Sequence, residues 1–155
     1  MSKLKVGDKA PKFKLIDKDG EEHGVGLDKS DYLVLFFYPK DNTPGCTLEA
    51  QGFSASLKDF TRRKAKVIGI SGGDQKTKDK FCAKYDLKVA LVSDTDFSVA
   101  KVYGVFGDKK FMGRVYKGIF RTTFIVDKSG KIAHVFEDVK PDGHAEEVLG
   151  VLKGL

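Results

Sequence analysis

The sequence predicts an α/β fold in which helices flank a central mixed β-sheet. Its strongest strand is the continuous apolar run 32–38, which is typical of a strand buried on both faces. Strand-like and helix-like segments alternate after this run, and a β-hairpin followed by a helix closes the chain. This order indicates layered α/β packing in a single domain over residues 1–155.

The elements follow from local signals along the chain. Residues 13–16 and the turn at 17–20 predict an N-terminal β-hairpin, and Pro39 ends the main strand. A helix is expected from Thr43, because apolar side chains recur at helical spacing. That stripe consists of Ala50, Phe53, Leu57 and Phe60. Further predicted elements are strands 66–70 and 90–92, helices 74–85 and 97–103, a hairpin with strands 121–126 and 131–136, and helix 144–152.

The segment 104–118 shows no clear hydrophobic period. It contains glycines, lysines and scattered aromatic residues. We therefore interpret it as a loop that connects the preceding helix to the hairpin, in a position to lie near a functional site.

Charge and hydropathy argue against two classes of partner. The net charge is +6, but 22 acidic residues are interspersed among 28 basic ones, which indicates a solvated surface. The densest basic stretch, residues 62–64, is short and carries no nucleic-acid motif. The apolar run 32–38 is too short to span a membrane, and residues 1–5 are not followed by an apolar stretch of the kind that predicts a signal peptide. We expect a cytoplasmic protein that binds neither nucleic acid nor membranes.

The chain contains only two cysteines, Cys46 and Cys82. They form neither a disulfide scaffold nor a CxxC pair, so dithiol chemistry of the CxxC type and a zinc cluster are both disfavoured. Residues His23, His134 and His144 lack ligand spacing and are expected at the surface or at helix ends. We therefore expect no metal and no cofactor. The cysteines are either inert core thiols or a nucleophile with a partner.

The local sequence around Cys46 favours a reactive thiolate. Thr43 is a good N-cap whose hydroxyl can accept from a first-turn amide, Pro44 suits the first helical position, and Cys46 then falls at the third. Unpaired N–H groups and the helix dipole stabilise an anion there. The strand before this turn directs Cys46 into the crevice where α/β proteins bind ligands. A buried, inert cysteine is the alternative.

Residues 39–46, PKDNTPGC, resemble the PxxxTxxC active-site motif of peroxiredoxins. The longer string 38–50 looks like the bacterioferritin comigratory protein branch, also called peroxiredoxin Q. Segments 6–13, 121–127 and 143–149 are similar to other parts of that branch. The resemblance therefore covers nearly the whole chain.

The resemblance implies a thioredoxin-like fold and a thiol-dependent peroxidase that reduces hydrogen peroxide and organic hydroperoxides. Cys46 is then the peroxidatic nucleophile, Thr43 directs its hydroxyl toward the thiolate and peroxide, and Pro39 shields the thiolate from water. Arg121 places its guanidinium beside Cys46, and the backbone N–H groups of Gly45 and Cys46 hold the peroxide oxygens. Such donors suit a reaction that develops negative charge on oxygen.

The resemblance also suggests a role for Cys82. Many members of the branch carry a resolving cysteine five residues after the nucleophile, where this chain has Gln51. A subset instead carries it on the helix that here contains Cys82, and an intramolecular disulfide with Cys46 is then expected. Its formation would require local unwinding, because disulfides need Cα atoms within about 7 Å. The alternative is a structural Cys82 and a one-cysteine enzyme reduced by an external thiol.

The remaining expectations concern partners. Thioredoxin or a glutaredoxin-like protein is the expected reductant, and the branch tends toward monomers, with some dimers.

Glu49 matches a usually polar family position, and a solvated helical carboxylate is its alternative reading. A redox-sensing or binding protein without turnover remains a second functional class on the same scaffold.

Overall fold

The computed structural model describes residues 4–17, 19–27 and 30–155. Nine strands and five helices lie within these residues. In chain order they are β1 (Leu15–Ile16), β2 (Glu22–His23), β3 (Tyr32–Phe37), α1 (Pro44–Ala55), α2 (Leu57–Arg62), β4 (Ala65–Ser71), α3 (Gln75–Tyr85), β5 (Ala90–Ser93), α4 (Ser98–Val102), β6 (Phe106–Phe111), β7 (Arg114–Ile119), β8 (Thr122–Asp127), β9 (Ile132–Phe136) and α5 (His144–Lys153).

A five-stranded mixed sheet forms the centre, with strand order β5-β4-β3-β8-β9. Strands β3, β4 and β5 pair in parallel, while β8 pairs antiparallel with β3 and with β9. The short strands β1 and β2 form the N-terminal hairpin. The expected mixed sheet and both hairpins of the sequence prediction are confirmed.

The central strand β3 is buried on both faces. Its side chains alternate between two apolar clusters, with Phe36 on one face and Leu35 and Phe37 on the other, all 0% exposed. Helices α1, α2, α3 and α5 cover the first face, and α4 covers the second. The continuous apolar run in the sequence is therefore explained by helices on both sides of the sheet.

The topology brings three segments together where β3 and β4 end and β8 begins. The loop after β3 leads into α1, and the loop after the parallel strand β4 leads into α3. Strand β8 runs the opposite way, so its first residue, Thr122, lies opposite Phe37 at the end of β3. Residues just before β8 therefore meet the first turn of α1.

The prediction of a loop over 104–118 is wrong. Strands β6 and β7 form an antiparallel hairpin with Phe111 paired to Arg114. The two residues between them, Met112 and Gly113, have φ of 51° and 78°, as in the tight turns that suit hairpins. Most of the hairpin is exposed, so no alternation of buried and polar positions marks it in the sequence.

The predicted helix from Thr43 past Phe60 is interrupted. It ends at Ala55, and α2 begins at Leu57 after Ser56, whose φ of −96° and ψ of 6° leave the helical range. The neighbouring Ser54 side chain accepts a hydrogen bond from the N–H of Lys88 at 2.6 Å. The apolar stripe nevertheless remains in the core on both sides of the break.

His23 is not a surface residue, contrary to expectation, whereas His144 opens α5 and lies at a helix end as expected. His23 and His144 are 2% and 1% exposed. His23 Nε2 lies 2.8 Å from Asp17, and the His144 ring contacts both Thr123 and Glu147. Hydrogen bonds satisfy both ring nitrogens of His144, as burial of polar groups requires, whereas Nδ1 of His23 has no hydrogen-bond partner in the part of the chain that the structure describes. Within the described ranges, no helix has the length and apolar character needed to cross a membrane.

Candidate active site

The first turn of α1 places Cys46 at the junction of the sheet and the helix. Thr43 is the N-cap with an extended backbone, and Pro44 opens the helix, so Cys46 occupies the third position. Its side chain is buried, with 2% of the residue exposed. The N–H groups of Gly45 and Cys46 precede the first intrahelical donor, the N–H of Thr47 bonded to the Thr43 carbonyl at 2.8 Å.

The side chain of Thr43 does not cap the helix as expected. It makes no capping hydrogen bond, and its hydroxyl instead donates to the carbonyl of Lys40 at 3.1 Å. This contact orients the hydroxyl and leaves its oxygen lone pairs available as acceptors. Pro39, half-buried, lies in the same loop between β3 and α1.

Arg121 reaches Cys46 from the segment just before β8. Its Nη2 lies 3.4 Å from the Cys46 Sγ, and its Nη1 donates to Glu49 Oε1 at 2.7 Å. Burial alone would lower the pKa of Arg121, but the negative charges of Cys46 and Glu49 outweigh it and raise the pKa. A fixed, forked cation therefore faces the thiol.

Glu49, for which the sequence allowed two interpretations, is a buried carboxyl at this site. It lies one turn after Cys46 on α1 and is 1% exposed. Burial raises its pKa to about 7, although the charge and hydrogen bond of Arg121 act in the opposite direction. The reading of Glu49 as a solvated carboxylate is wrong, because its face of α1 packs against the sheet.

Gly45 permits the close approach of Arg121. A Cβ atom at this position would lie 3.2 Å from Nη2 of Arg121 and 3.3 Å from Cγ of Pro141. Both distances are shorter than ordinary van der Waals contacts. The absence of a side chain therefore lets the guanidinium pass over the helix turn to the thiol.

A buried polar network supports the loop before α1. Tyr38 donates its hydroxyl proton to Asp41 at 2.6 Å, and Lys78 of α3 lies 3.0 Å from the other carboxylate oxygen. Burial raises the pKa of Tyr38 well above its ordinary value, and the charge of Asp41 adds to this effect. Sequence reasoning missed these residues, since the partners lie 37 positions apart and Lys78 resembles a solvated helical lysine.

A second cationic side chain, Lys109 on the β6–β7 hairpin, lies near the site. Lys109 donates to the carbonyl of Ile119 at 2.9 Å. Burial and the charge of Arg121 lower the pKa of Lys109, while the charge of Cys46 raises it. The expectation that this segment lies near the site therefore holds, although its structure was predicted incorrectly.

Cys82 lies on α3 and is half-buried. It packs against the same apolar cluster that contains Cys46. Both cysteines are in the reduced state in this structure. The site thus combines a buried thiol at a helix N-terminus, the backbone N–H groups of the first helical turn, a fixed arginine and a second thiol on α3. Such a set suits nucleophilic attack by sulfur with stabilisation of a departing oxyanion.

Comparison with known proteins agrees with this arrangement. The model of the AhpC/TSA family matches residues 6–135. Peroxiredoxin Bcp of Escherichia coli strain K12 is 41% identical over 153 residues, covering 99% of this chain and 98% of the relative.

Solved structures give the same result. A Cys-to-Ser mutant of PrxQ from Xylella fastidiosa superposes with a TM-score of 0.91 at 35% identity, covering 99% of this chain and 98% of that one. The bacterioferritin comigratory protein of Xanthomonas campestris, studied for its alkyl peroxide reduction, gives 0.87 at 34% identity, with coverage of 99% and 97%. Peroxiredoxin Q of the same organism has been solved as two cysteine-to-serine variants. Their positions are 36 residues apart, the separation of Cys46 and Cys82 here.

The family match and the whole-length relatives agree with a buried thiol held beside an arginine at a helix N-terminus. The chain therefore belongs to the AhpC/TSA family, in its Bcp and peroxiredoxin Q branch, and is a thiol-dependent peroxidase with the thioredoxin-like fold of peroxiredoxins.

Proposed function

We propose that Cys46 is the nucleophile that attacks the peroxide. The observation that carries this assignment is the 3.4 Å contact between its Sγ and the guanidinium of Arg121. The thiolate sulfur forms a bond to the outer peroxide oxygen as the O–O bond breaks. The sulfur is oxidised to a sulfenic acid, and the departing oxyanion takes a proton to leave as an alcohol or water.

The neighbouring groups have separate roles in this step. Arg121 and the N–H groups of Gly45 and Cys46 donate to the oxygens on which negative charge develops. The Thr43 hydroxyl already donates to the Lys40 carbonyl, so its oxygen accepts from the protonated peroxide. Pro39 lies in the loop before α1 and limits the access of water to the Cys46 thiolate.

Cys82 is the proposed resolving cysteine. Its thiolate attacks the sulfenic sulfur of Cys46, an S–S bond forms, and the S–O bond breaks. Hydroxide leaves and takes a proton to become water, while Cys82 is oxidised and Cys46 is reduced to the disulfide level. The matching separation of the two substituted cysteines in the Xanthomonas campestris protein supports this pairing.

Resolution requires a conformational change. The Cys46 thiol faces Arg121 at the start of β8, whereas α3 packs beside β5 through the hydrogen bond from Gln75 to the Leu91 carbonyl at 3.2 Å. Three strand spacings separate β5 from β8 in the sheet, or about 14 Å. Local unwinding of the first turn of α1, of α3, or of both brings the sulfur atoms together.

The cycle closes by thiol–disulfide exchange with a dithiol protein of the thioredoxin or glutaredoxin type, which becomes oxidised as Cys46 and Cys82 regain their protons. Hydrogen peroxide and alkyl hydroperoxides are the proposed substrates, and the alkyl peroxide reduction of the Xanthomonas campestris relative favours the latter. We propose a monomer of one domain that acts in the cytoplasm, where cysteines ordinarily stay reduced, as both cysteines are in this structure.

A one-cysteine cycle is the second candidate. It is favoured by the packing of Cys82 against the apolar cluster, which is how structural cysteines are usually found. In that cycle an external thiol reduces the sulfenic acid of Cys46 directly. The fold and the peroxide step are the same in both candidates.

Peroxide consumption coupled to NADPH through thioredoxin and thioredoxin reductase tests the proposal. The wild type is compared with Cys46→Ser and Cys82→Ser, each a matched control for the other. Loss of turnover in both variants, with a Cys46–Cys82 disulfide in peroxide-treated wild type by peptide mapping, is expected. Loss only in Cys46→Ser supports the one-cysteine cycle. Turnover that survives in Cys46→Ser contradicts the nucleophile, and absence of turnover in the wild type favours a redox sensor.

A further inference from the structure

One face of α3 is attached to the loop before Cys46 at two points. Lys78, Cys82 and Tyr85 follow at positions i, i+4 and i+7 and therefore share this face. The outer two residues bond to consecutive residues of the loop, Asp41 and Asn42. Cys82 lies between the two attachments, one turn from each. We call this pair of contacts the α3 clamp.

The first contact is a fully buried ion pair. Lys78 is 0% exposed, and its Nζ lies 3.0 Å from Asp41 Oδ2 and also donates to the carbonyl of Gly72. Asp41 Oδ1 accepts from Tyr38 at 2.6 Å and lies 3.5 Å from the hydroxyl of Ser71. The two charges compensate each other, and removal of one leaves the other as a buried ion, which is strongly disfavoured.

The second contact is a hydrogen bond at the other end of the face. The hydroxyl of Tyr85 donates to Asn42 Oδ1 at 3.0 Å. The Tyr85 ring packs edge-on against Phe81, with centroids 5.6 Å apart. Asn42 has φ of 59°, a left-handed conformation that asparagine tolerates better than most residues. The loop is thus held in one shape between β3 and Thr43.

The clamp joins the two cysteine-bearing parts of the molecule. Asp41 and Asn42 immediately precede the turn that carries Cys46, while Lys78 and Tyr85 flank Cys82. In the dithiol form, Cys82 lies on the face of α3 whose Lys78 and Tyr85 contact the loop, while the Cys46 thiol faces Arg121. Unwinding of α3, or movement of the loop at Asp41 and Asn42 together with the first turn of α1, releases at least one of the two contacts.

We propose that Lys78 and Tyr85 are positioning residues that clamp α3 to Asp41 and Asn42 and so set the rate at which Cys82 reaches oxidised Cys46. This inference rests on the proposed resolving role of Cys82. The covalent step itself is the one already given, in which the S–S bond forms, the S–O bond breaks and water leaves. The clamp controls access to that step and leaves its chemistry unchanged.

The two clamp contacts are present only in the dithiol form, and two measurable effects follow. The contacts oppose opening, so weakening them accelerates disulfide formation. They also stabilise the dithiol relative to the disulfide, so weakening them lowers the reduction potential. The reaction of Cys46 with peroxide precedes opening and is unaffected by the Tyr85 contact.

The decisive variant is Tyr85→Phe, which removes one hydroxyl and keeps the ring against Phe81. Stopped-flow measurements with hydrogen peroxide resolve the oxidation of Cys46 from the later disulfide step, and equilibration with a dithiol buffer gives the potential. We expect an unchanged first step and a disulfide step faster by about fivefold, as loss of one hydrogen bond predicts. The potential should fall by roughly 20 mV, which is the same fivefold change for two electrons.

The ion pair is tested by charge compensation. Lys78→Met leaves Asp41 buried without its partner, and we expect a disulfide step faster by at least about tenfold. Lys78→Met combined with Asp41→Asn also lacks the clamp contact but leaves no uncompensated charge, so the disulfide step should stay faster than in the wild type, though by less than in Lys78→Met. Lys80→Met, on the exposed side of α3, is the matched control and should change neither step.

The possible outcomes separate the clamp from the proposed function. Unchanged disulfide rate and potential in Tyr85→Phe overturn the clamp, even where Lys78→Met fails to fold. An equal acceleration in Lys80→Met also overturns it, because the effect would then belong to α3 as a whole. Absence of any Cys46–Cys82 disulfide in the wild type instead overturns the resolving role of Cys82, on which the clamp depends.

Discussion

Nη1 of Arg121 donates to Oε1 of Glu49 at 2.7 Å, while the other carboxyl oxygen of Glu49 has no hydrogen-bond partner among the described residues. The remaining terminal nitrogen of Arg121 faces the Cys46 thiol. One guanidinium is therefore shared between a reactive sulfur and a buried carboxyl. This sharing makes the site sensitive to the shape of the cation and to the ionisation of Glu49.

The shape of the cation is tested by Arg121→Lys. An ammonium group keeps the charge but cannot donate to Cys46 and Glu49 at the same time in the forked geometry. We expect the second-order rate of Cys46 with hydrogen peroxide to fall by about a hundredfold, as for loss of a transition-state donor. Stopped-flow kinetics measure it, with Arg114→Lys on the exposed strand β7 as control. An unchanged rate would show that charge alone is sufficient.

The ionisation of Glu49 is expected to shape the pH dependence of stability. Its pKa in the folded protein is about 7, against an ordinary value of 4.5. Between pH 4.5 and pH 7, the Glu49 carboxyl of the folded protein holds a proton that the unfolded protein has released. The stabilising contribution is therefore complete below pH 4.5 and is lost as the pH rises through 7, a change of about 3 kcal/mol.

Urea unfolding of the reduced wild type and of Glu49→Gln across this range isolates the effect. The difference in unfolding free energy, wild type minus variant, should decrease as the pH rises. Other carboxyl groups contribute equally to both proteins and cancel in the difference. A difference that does not depend on pH would mean that the pKa of Glu49 is not raised by folding.

A methyl group at position 45 should displace Arg121. In Gly45→Ala the new Cβ would meet Nη2 at 3.2 Å, so the guanidinium must shift by a few tenths of an ångström. We expect the rate with peroxide to fall about tenfold with little change in the unfolding free energy, because the loss is one of positioning. Gly52→Ala is the control in the same helix, since its Cβ would lie at an ordinary 3.6 Å from Ala145. Equal losses in both variants would exclude the Arg121 explanation.

His144 should give a pH dependence of the opposite sign. Burial lowers its pKa below the ordinary 6.5, although Glu147 acts in the other direction. Its contribution to stability is present above pH 6.5 and is lost as the pH falls through the lowered folded pKa. In urea unfolding, the advantage of the wild type over His144→Gln should shrink on acidification. An advantage that grows on acidification would show that the imidazole is charged in the fold.

The sequence predicted the parts of the site that local rules govern. Residues 32–38 are apolar throughout because both faces of β3 are covered, and Pro44 and Cys46 take helix positions that depend on only a few neighbours. The approach of Arg121 was expected from family resemblance alone, since nothing in a strand arginine indicates its partner. Its contact with Glu49 spans 72 positions and could not be read from spacing.

The failures have equally specific causes. The β6–β7 hairpin exposes Phe111, Met112 and Val115, so it lacks the alternation of apolar and polar residues that marks a half-buried hairpin. In the sequence, Lys78 is indistinguishable from a solvated lysine on a helix. The Asp41 carboxylate that permits its burial is brought to it by the tertiary fold. Long-range pairing of charges is invisible to periodicity.

The Cys46 thiol lies toward β8 and α3 lies toward β5 on the same face of the sheet, and this separation has a kinetic consequence. In the proposed cycle, peroxide reacts only with the closed dithiol enzyme, and the dithiol protein reacts only with the opened disulfide enzyme. The two substrates therefore never occupy the enzyme together. Steady-state measurements at several fixed reductant concentrations should give parallel double-reciprocal lines, and reductant in excess should not compete with peroxide.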